Sequence, residues 1–309
     1  MTGCSGQVGR ALRQALSPLG NVIALDRSGL DLANPDAIRK TVRDCKPMLI
    51  VNAAAYTAVD CAESEPELAM AVNSVAPGVL AEEARRLDAV LVHYSTDYVF
   101  DGTKDGAYTE SDEPNPLNVY GRTKLAGERA IQKINPAHYI LRTSWVYAAD
   151  GANFLNTILR LARERTELRI VNDQTGAPTS AQAIAELTVQ LLAVGMKGPA
   201  NPHYGLYHMS ASGAVTWFGF AHTILASAEK ILGVTAPKLV PITTADYPLP
   251  AQRPVNSRLD ISRLTKTFGI MPEPWQQMLE RCMQEKSLQP FGNPPEFLRG
   301  FPTHTKNYS

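Results

Sequence analysis

The 309-residue chain predicts an α/β fold, a doubly wound parallel sheet carrying a smaller second lobe, and three observations predict it. Apolar stretches of strand length alternate with stretches of helix length through the first half, the pattern of a parallel sheet covered on both faces. The chain opens on Gly3-Cys-Ser-Gly6-Gln7-Val8-Gly9, and helical periodicity follows from Arg10 to Leu16. The next apolar stretch, Asn21 to Asp26, ends in an acid 17 residues past Gly9. Glycines at three-residue intervals on a helix entrance let a pyrophosphate approach backbone N–H groups and the positive end of the helix dipole. A carboxylate at that distance meets an adenosine ribose, so the three together describe an NAD(P)-binding Rossmann fold.

Composition narrows the function classes. With 44% hydrophobic residues the chain has ample core material, and its length suits one large α/β domain or two coupled ones. Thirty basic residues balance thirty acidic ones with no long basic run, so nucleic acid is not an expected partner. Cys4, Cys45, Cys61 and Cys282 have neither disulfide-frame nor zinc-ligand spacing. No apolar run approaches the roughly 18 residues of a membrane span, and no basic-then-apolar leader is present. The expectation is a soluble cytoplasmic protein without a membrane partner.

The elements follow in order. Only Met1 and Thr2 precede Gly3, although the first strand of a dinucleotide fold lies in mid-sheet before the glycine turn. The reading is therefore a first strand missing from the sequence as written, attributed to a start placed too late. Arg27 follows Asp26, and a guanidinium there meets a 2′-phosphate, so the pair points to different cofactors. The balance is NADPH, with NADH tolerated. Asn34-Pro35 caps a helix running to Lys46-Pro47. Met48 to Ala55 reads as a buried strand, Glu67 to Leu87 as one long helix, and Ala89 to Thr96 as the next strand. Ligands in such sheets bind beyond the carboxyl ends of the strands, where Ala53 to Tyr56 and Ser95 to Tyr98 fall.

Tyr120-Gly-Arg-Thr-Lys124 lies in a helical segment, and positions four apart share a face. An ammonium beside a phenol favours the phenolate and lowers a pKa normally about 10, which makes the pair a proton donor and acceptor. The spacing alone also arises by chance.

Several blocks in the right order carry a resemblance. Gly3-x-x-Gly6-x-x-Gly9, Ser95-Thr-Asp-Tyr-Val-Phe-Asp-Gly102 and Tyr120-x-x-x-Lys124 resemble the extended short-chain dehydrogenase/reductases. Asn52-Ala-Ala-Ala-Tyr-Thr-Ala-Val-Asp60, Pro116 to Glu128, Arg142-Thr-Ser-Trp-Val-Tyr147, Asn172 to Thr179 and Arg253 to Asp260 are similar, more narrowly, to the dTDP-4-dehydrorhamnose reductases. The likeness runs from Gly3 to about Glu280.

The resemblance implies reduction of the C4 keto group of a dTDP-4-dehydro sugar by NADPH, the last step of dTDP-L-rhamnose synthesis for cell-surface polysaccharides. By position it makes Tyr120 the acid that protonates the developing alkoxide. It has Lys124 hold the nicotinamide ribose and depress the Tyr120 pKa, and Thr96 hydrogen-bond the same oxygen. Val59, Tyr98 and Trp145 become substrate contacts beside Thr96 and Tyr120. Gly3, Gly6, Gln7, Val8, Gly9, Asp26, Arg27, Asp31, Leu32, Ala53, Ala54 and Tyr56 become cofactor contacts with Tyr120 and Lys124. Magnesium and a homodimer are described in the family, yet no Asp/Glu cluster with octahedral-site logic appears, and no metal ligand is assigned.

The second half supplies a substrate lobe over about 151–288, interleaved with the last elements of a Rossmann domain over 1–150. Helices are expected at Asn153 to Glu164, Thr179 to Val194 and Thr216 to Leu232, with strands at Leu168 to Asn172, Leu206 to Ser210 and Lys238 to Ile242. Arg253 or Arg258 is available for a diphosphate, against a surface salt bridge for either. Glu186 reads as a solvated helix face. Residues 289–309, rich in proline and turn formers, read as a loosely ordered tail. Two functions compete. One is the reductase, or the reductase of a related 4-keto sugar nucleotide. The other is a catalytically silent nucleotide-binding subunit, which the absent first strand favours.

Overall fold

The computed structural model describes residues 1–196 and 203–288, so the expected tail and much of the loop after Gly195 lie outside the described residues. Four parallel strands make the main sheet: β1 (Leu49–Asn52), β2 (Val90–Thr96), β3 (His138–Thr143) and then Gly205–His208. Successive residues face opposite ways. Ile50, Leu91, Ile140 and Leu206 join Ile38, Val42 and Leu80 in one core, while Val51, Val92, Leu141 and Tyr207 join Leu12, Leu16 and Leu191 in the other. Strands buried on both faces need apolar residues at every position, hence their continuous rather than alternating hydrophobicity.

Among the described residues no first strand is formed, as expected, and Met1 and Thr2 make only isolated contacts in its place. Thr2 bridges in parallel to both Leu25 and Asn52. Its N–H donates to Val51 O at 3.0 Å, and Leu25 N–H donates to Met1 O at 2.9 Å. Two residues thus connect β1 to the segment beyond, and the Met1 ammonium adds a bond to Ile23 O at 2.6 Å. The strand expected over Asn21 to Asp26 is correspondingly reduced to a single bridge at Leu25, because the partner that would extend its ladder is two residues long.

The helix expected from Glu67 to Leu87 is interrupted. Pro66–Met70 and Ala76–Arg86 are α-helical, and Ala71–Val75 between them is a π turn. Pro77 lacks the N–H that would bond the carbonyl of Asn73 one turn back, which frees the ladder there. A Cβ on Gly127 would stand 2.1 Å from that Asn73 carbonyl oxygen, so glycine lets the neighbouring helix close on the widened turn.

α1 (Gln7–Leu16) packs against the helix Ala181–Gly195, and α2 (Pro35–Cys45) begins on the Asn34 side chain, which accepts from Asp36 and Ala37 N–H. The second lobe has its own core of Leu155, Leu159, Phe220, Ile224, Met278 and Leu279, among others. It is formed by helices Phe154–Glu164, Trp217–Leu232 and Trp275–Leu288 around the parallel pair Glu167–Val171 and Lys238–Ile242. No described helix is long and apolar enough to cross a membrane. The four cysteines are free thiols, and Glu186 is paired with Arg281 at 3.1 Å rather than simply solvated.

Candidate active site

The glycine turn is shaped for close backbone approach. Gly3 has φ +71°, and a Cβ there would stand 2.6 Å from Ala54 N; a Cβ on Gly9 would meet Gly3 O at 1.9 Å. No side chain caps α1 at Gly6, and no acid sits in its first turn, so the positive helix end is left for an anion. The turn lies against Ala53 and Ala54, as a dinucleotide site requires. This cradle fits NADPH. The side chain of Gln7 is engaged by Asn153 at 2.8 Å, and Val8 packs on the core, so both offer backbone to the site.

At the adenosine end, Asp26 Oδ1 accepts from Ser28 Oγ at 2.6 Å and from Ser28 and Gly29 N–H at 3.0 Å each. The Ser28 hydroxyl, then the Gly29 N–H, hold its carboxyl below the usual range. Arg27 is exposed beside it, and Asp31 accepts from Ala33 N–H at 3.0 Å. The Leu32 side chain is buried in the core with Leu30 and Ile38, so only its backbone can face a cofactor. Tyr56 is clamped by Asn73, whose amide accepts from Tyr56 N–H at 2.9 Å, donates to Tyr56 O at 3.0 Å, and also reaches Thr123 on the helix Val119–Ile134.

That helix starts on Asn118, whose side chain accepts from Gly121 N–H at 2.8 Å. A Cβ on Gly121 would meet Tyr98 O at 2.2 Å, so the helix rests on the end of β2 and presents Tyr120 there. The Tyr98 ring meets the Tyr120 ring edge-on at 6.0 Å. The expected depression of the Tyr120 pKa is not what the structure gives. Desolvation pushes it up to about 12, against a smaller lowering by the Thr96 hydroxyl. The Lys124 ammonium is instead turned to the backbone, donating to Tyr94 O at 2.6 Å, with His93 Nε2 at 3.3 Å. Burial lowers Lys124 to about 8.

Behind Thr96 lies a carboxyl that sequence reasoning missed. Asp97 is 2% exposed; it accepts from Thr96 Oγ1 at 3.0 Å and Ser144 Oγ at 2.9 Å, and desolvation pushes its pKa up to about 6. Its place between Thr96 and Tyr98 was the available signal. Through Ser144 it ties the β2 end to Trp145, whose φ is +46°. Trp217 stacks on the Trp145 indole at 3.5 Å and 3°, and Gly176 approaches it closely, where a Cβ would stand 2.4 Å from ring atom Cε2. Nothing local in the sequence marks Trp217.

Val59 opens a short helix, Val59–Ala62, whose Asp60 holds Arg253 at 3.1 and 2.8 Å. Arg253 also donates to Ala251 O at 3.0 Å. Arg258 binds Asn256 Oδ1 at 2.9 Å and the carbonyl of Asp105. The expectation of a guanidinium available for a diphosphate is therefore corrected, since both arginines are committed within the protein.

The profile of the RmlD substrate binding domain matches residues 1–288. The dTDP-4-dehydrorhamnose reductase of Escherichia coli K12 is 46% identical over 288 residues, covering 92% of this chain and 96% of its own. The chain belongs to the dTDP-4-dehydrorhamnose reductase family. A family member from Burkholderia thailandensis is 46% identical over 290 residues. A dTDP-4-dehydrorhamnose reductase structure from Clostridium acetobutylicum superimposes with TM-score 0.85 at 36% identity, covering 92% of this chain and 97% of that one. One from Bacillus anthracis, in complex with NADP, gives 0.84 at 33%, with the same coverage. The family fold thus explains the doubly wound sheet and the cradle at Gly3, Gly6 and Gly9. Magnesium does not fit what is seen: among the described residues no group of three or more His, Cys, Asp or Glu could hold a metal, and no step is assigned to one.

Proposed function

We propose that the protein reduces the C4 keto group of dTDP-4-dehydro-L-rhamnose to give dTDP-L-rhamnose, with NADPH as reductant. The observation that carries the reading is a helix packed so closely on Tyr98 that it presents Tyr120 at the carboxyl end of β2, together with a glycine cradle that fits NADPH. The bound nicotinamide supplies a hydride to C4. As charge builds on the C4 oxygen, Tyr120 gives it a proton and the Thr96 hydroxyl turns from Asp97 to donate a hydrogen bond to it. A phenol with a pKa of about 12 carries its proton throughout the neutral range, as an acid for reduction must. Lys124, anchored by Tyr94 O and His93, holds the nicotinamide ribose in this reading. Trp145, held by the stacked ring of Trp217 and the close approach of Gly176, is the aromatic contact for the sugar in this reading, with Val59 and Tyr98 as further contacts.

The silent-subunit alternative drew its support from the absent first strand, where Met1 and Thr2 make only isolated bridges, and turnover separates the two readings. A cytoplasmic location and a homodimer belong to this proposal through the family likeness; sedimentation of the purified protein tests the second. Protein mixed with NADPH and the 4-keto, 6-deoxy sugar nucleotide should oxidise NADPH in proportion to sugar consumed. Cofactor binding without turnover would overturn the reading in favour of the silent subunit.

A further inference from the structure

We propose that Thr2, Asn52 and His93 form a buried hydrogen-bonded row that positions Lys124 and satisfies it in both of its protonation states, His93 being the positioning residue in contact. The inference rests on the role given to Lys124 above. Thr2 Oγ1 lies 2.7 Å from Asn52 Oδ1, Asn52 Nδ2 lies 3.0 Å from His93 Nδ1, and His93 Nε2 lies 3.3 Å from Lys124 Nζ. The four side chains are 5, 0, 1 and 2% exposed. They come from four elements: the first-strand position, β1, β2 and the helix Val119–Ile134. Buried polar groups persist only when bonded, and here each finds its partner in the next.

The chemistry of the row is reversible. A hydroxyl both donates and accepts, an amide has one donor end and one acceptor end, and a neutral imidazole has one nitrogen of each kind. When Lys124 is an ammonium, Nζ donates to His93 Nε2, Nδ1–H donates to the Asn52 carbonyl, and the Asn52 amide donates to Thr2 Oγ1. When Lys124 is an amine, Thr2 donates to Asn52, Asn52 donates to Nδ1, and Nε2–H donates to the Nζ lone pair. The two settings differ by the His93 tautomer and a half-turn of the Asn52 amide, and in each every one of the four side chains keeps a bond along the row. His93 stays neutral in both, since burial and then the Lys124 charge push its pKa well below 6.5. The remaining charged neighbour is Glu128 on the same helix, whose carboxylate is engaged by Arg142 of β3 and Ser95 of β2. Tyr94 O accepts from Nζ in either setting. His93 is thus the group through which the rest of the fold adjusts to the charge on Lys124.

The test is the pH profile of kcat/KM for His93→Phe, His93→Gln and Thr2→Val. An ammonium gains more from a neutral acceptor than an amine gains from a neutral donor, so His93→Phe should move the alkaline limb down by about one pH unit. KM for the nucleotide sugar should stay within about twofold, because the row does not reach the sugar. His93→Gln, which restores an acceptor, should return the limb toward the wild-type position, a rescue that a mere packing role would not give. Thr2→Val, which keeps the shape but removes one end of the row, should move the limb in the same direction by a smaller amount. If His93→Phe does not fold, Thr2→Val and His93→Gln decide: wild-type limbs in Thr2→Val overturn the proposal, as does an unshifted limb in a folded His93→Phe. Full activity in Lys124→Met would instead refute the role of Lys124 itself, so the two failures are separable.

Discussion

Tyr120, half-buried, and Asp97, fully buried, are two acids pushed in the same direction by the same cause, loss of water, with different consequences. For Tyr120 the result is a proton held for transfer. Tyr120→Phe should lower kcat by about 10²–10⁴, the usual worth of a positioned acid, while NADPH still binds, as read by quenching of protein fluorescence. Turnover within tenfold of wild type would assign the proton to another group. For Asp97 the result is a stability term. Its folded pKa of about 6 lies above the unfolded value of 3.8, so the stabilisation is fully present below pH 3.8 and is lost as pH rises through about 6. Compared with wild type, Asp97→Asn should therefore gain about 2–3 kcal/mol in unfolding free energy between pH 4 and 7, whatever constant offset the amide brings. A difference that stays flat with pH would mean that Asp97 ionises normally in the fold. The sequence showed Thr96, Tyr120 and Lys124 because motif spacing displays them. It misjudged the Tyr120 pKa because Lys124's direction is set by Tyr94 O and His93, which spacing does not reveal.

At the scale of elements, the legible features were those with local chemistry. Asn34-Pro35 started a helix as expected, and Lys238–Ile242 paired with Glu167–Val171 as strands. The π turn over Ala71–Val75 was not legible, although Pro77 was visible, because its other half is Gly127 on a separate helix. The same helix is locked to β3 by a buried ion pair, Arg142 to Glu128 at 2.9 and 2.6 Å, with side chains 3 and 1% exposed. Removing one partner strands a buried charge, so Glu128→Gln should cost about 3–5 kcal/mol in urea unfolding. A loss below about 1 kcal/mol would show that water or another group compensates Arg142.

The whole molecule is organised around the edge where β2 ends and the second lobe closes over it. Periodicity foretold the alternation that makes this sheet, and the family likeness foretold the smaller lobe. What neither carried is how the lobe is fastened. Asp60 and Arg253, separated by 193 positions, meet beside Tyr98, and Trp217 reaches back to stack on Trp145. Such pairings depend on the final packing of distant segments, so no window of sequence contains them. In the proposed reaction Thr96 and Tyr120 act on the carbonyl and Trp145 contacts the sugar. The most direct test follows a deuterium from the reactive position of labelled NADPH during reduction of the 4-keto, 6-deoxy sugar nucleotide. The account predicts one deuterium on C4 of the dTDP-L-rhamnose formed; NADPH oxidation with an unlabelled C4 would contradict it.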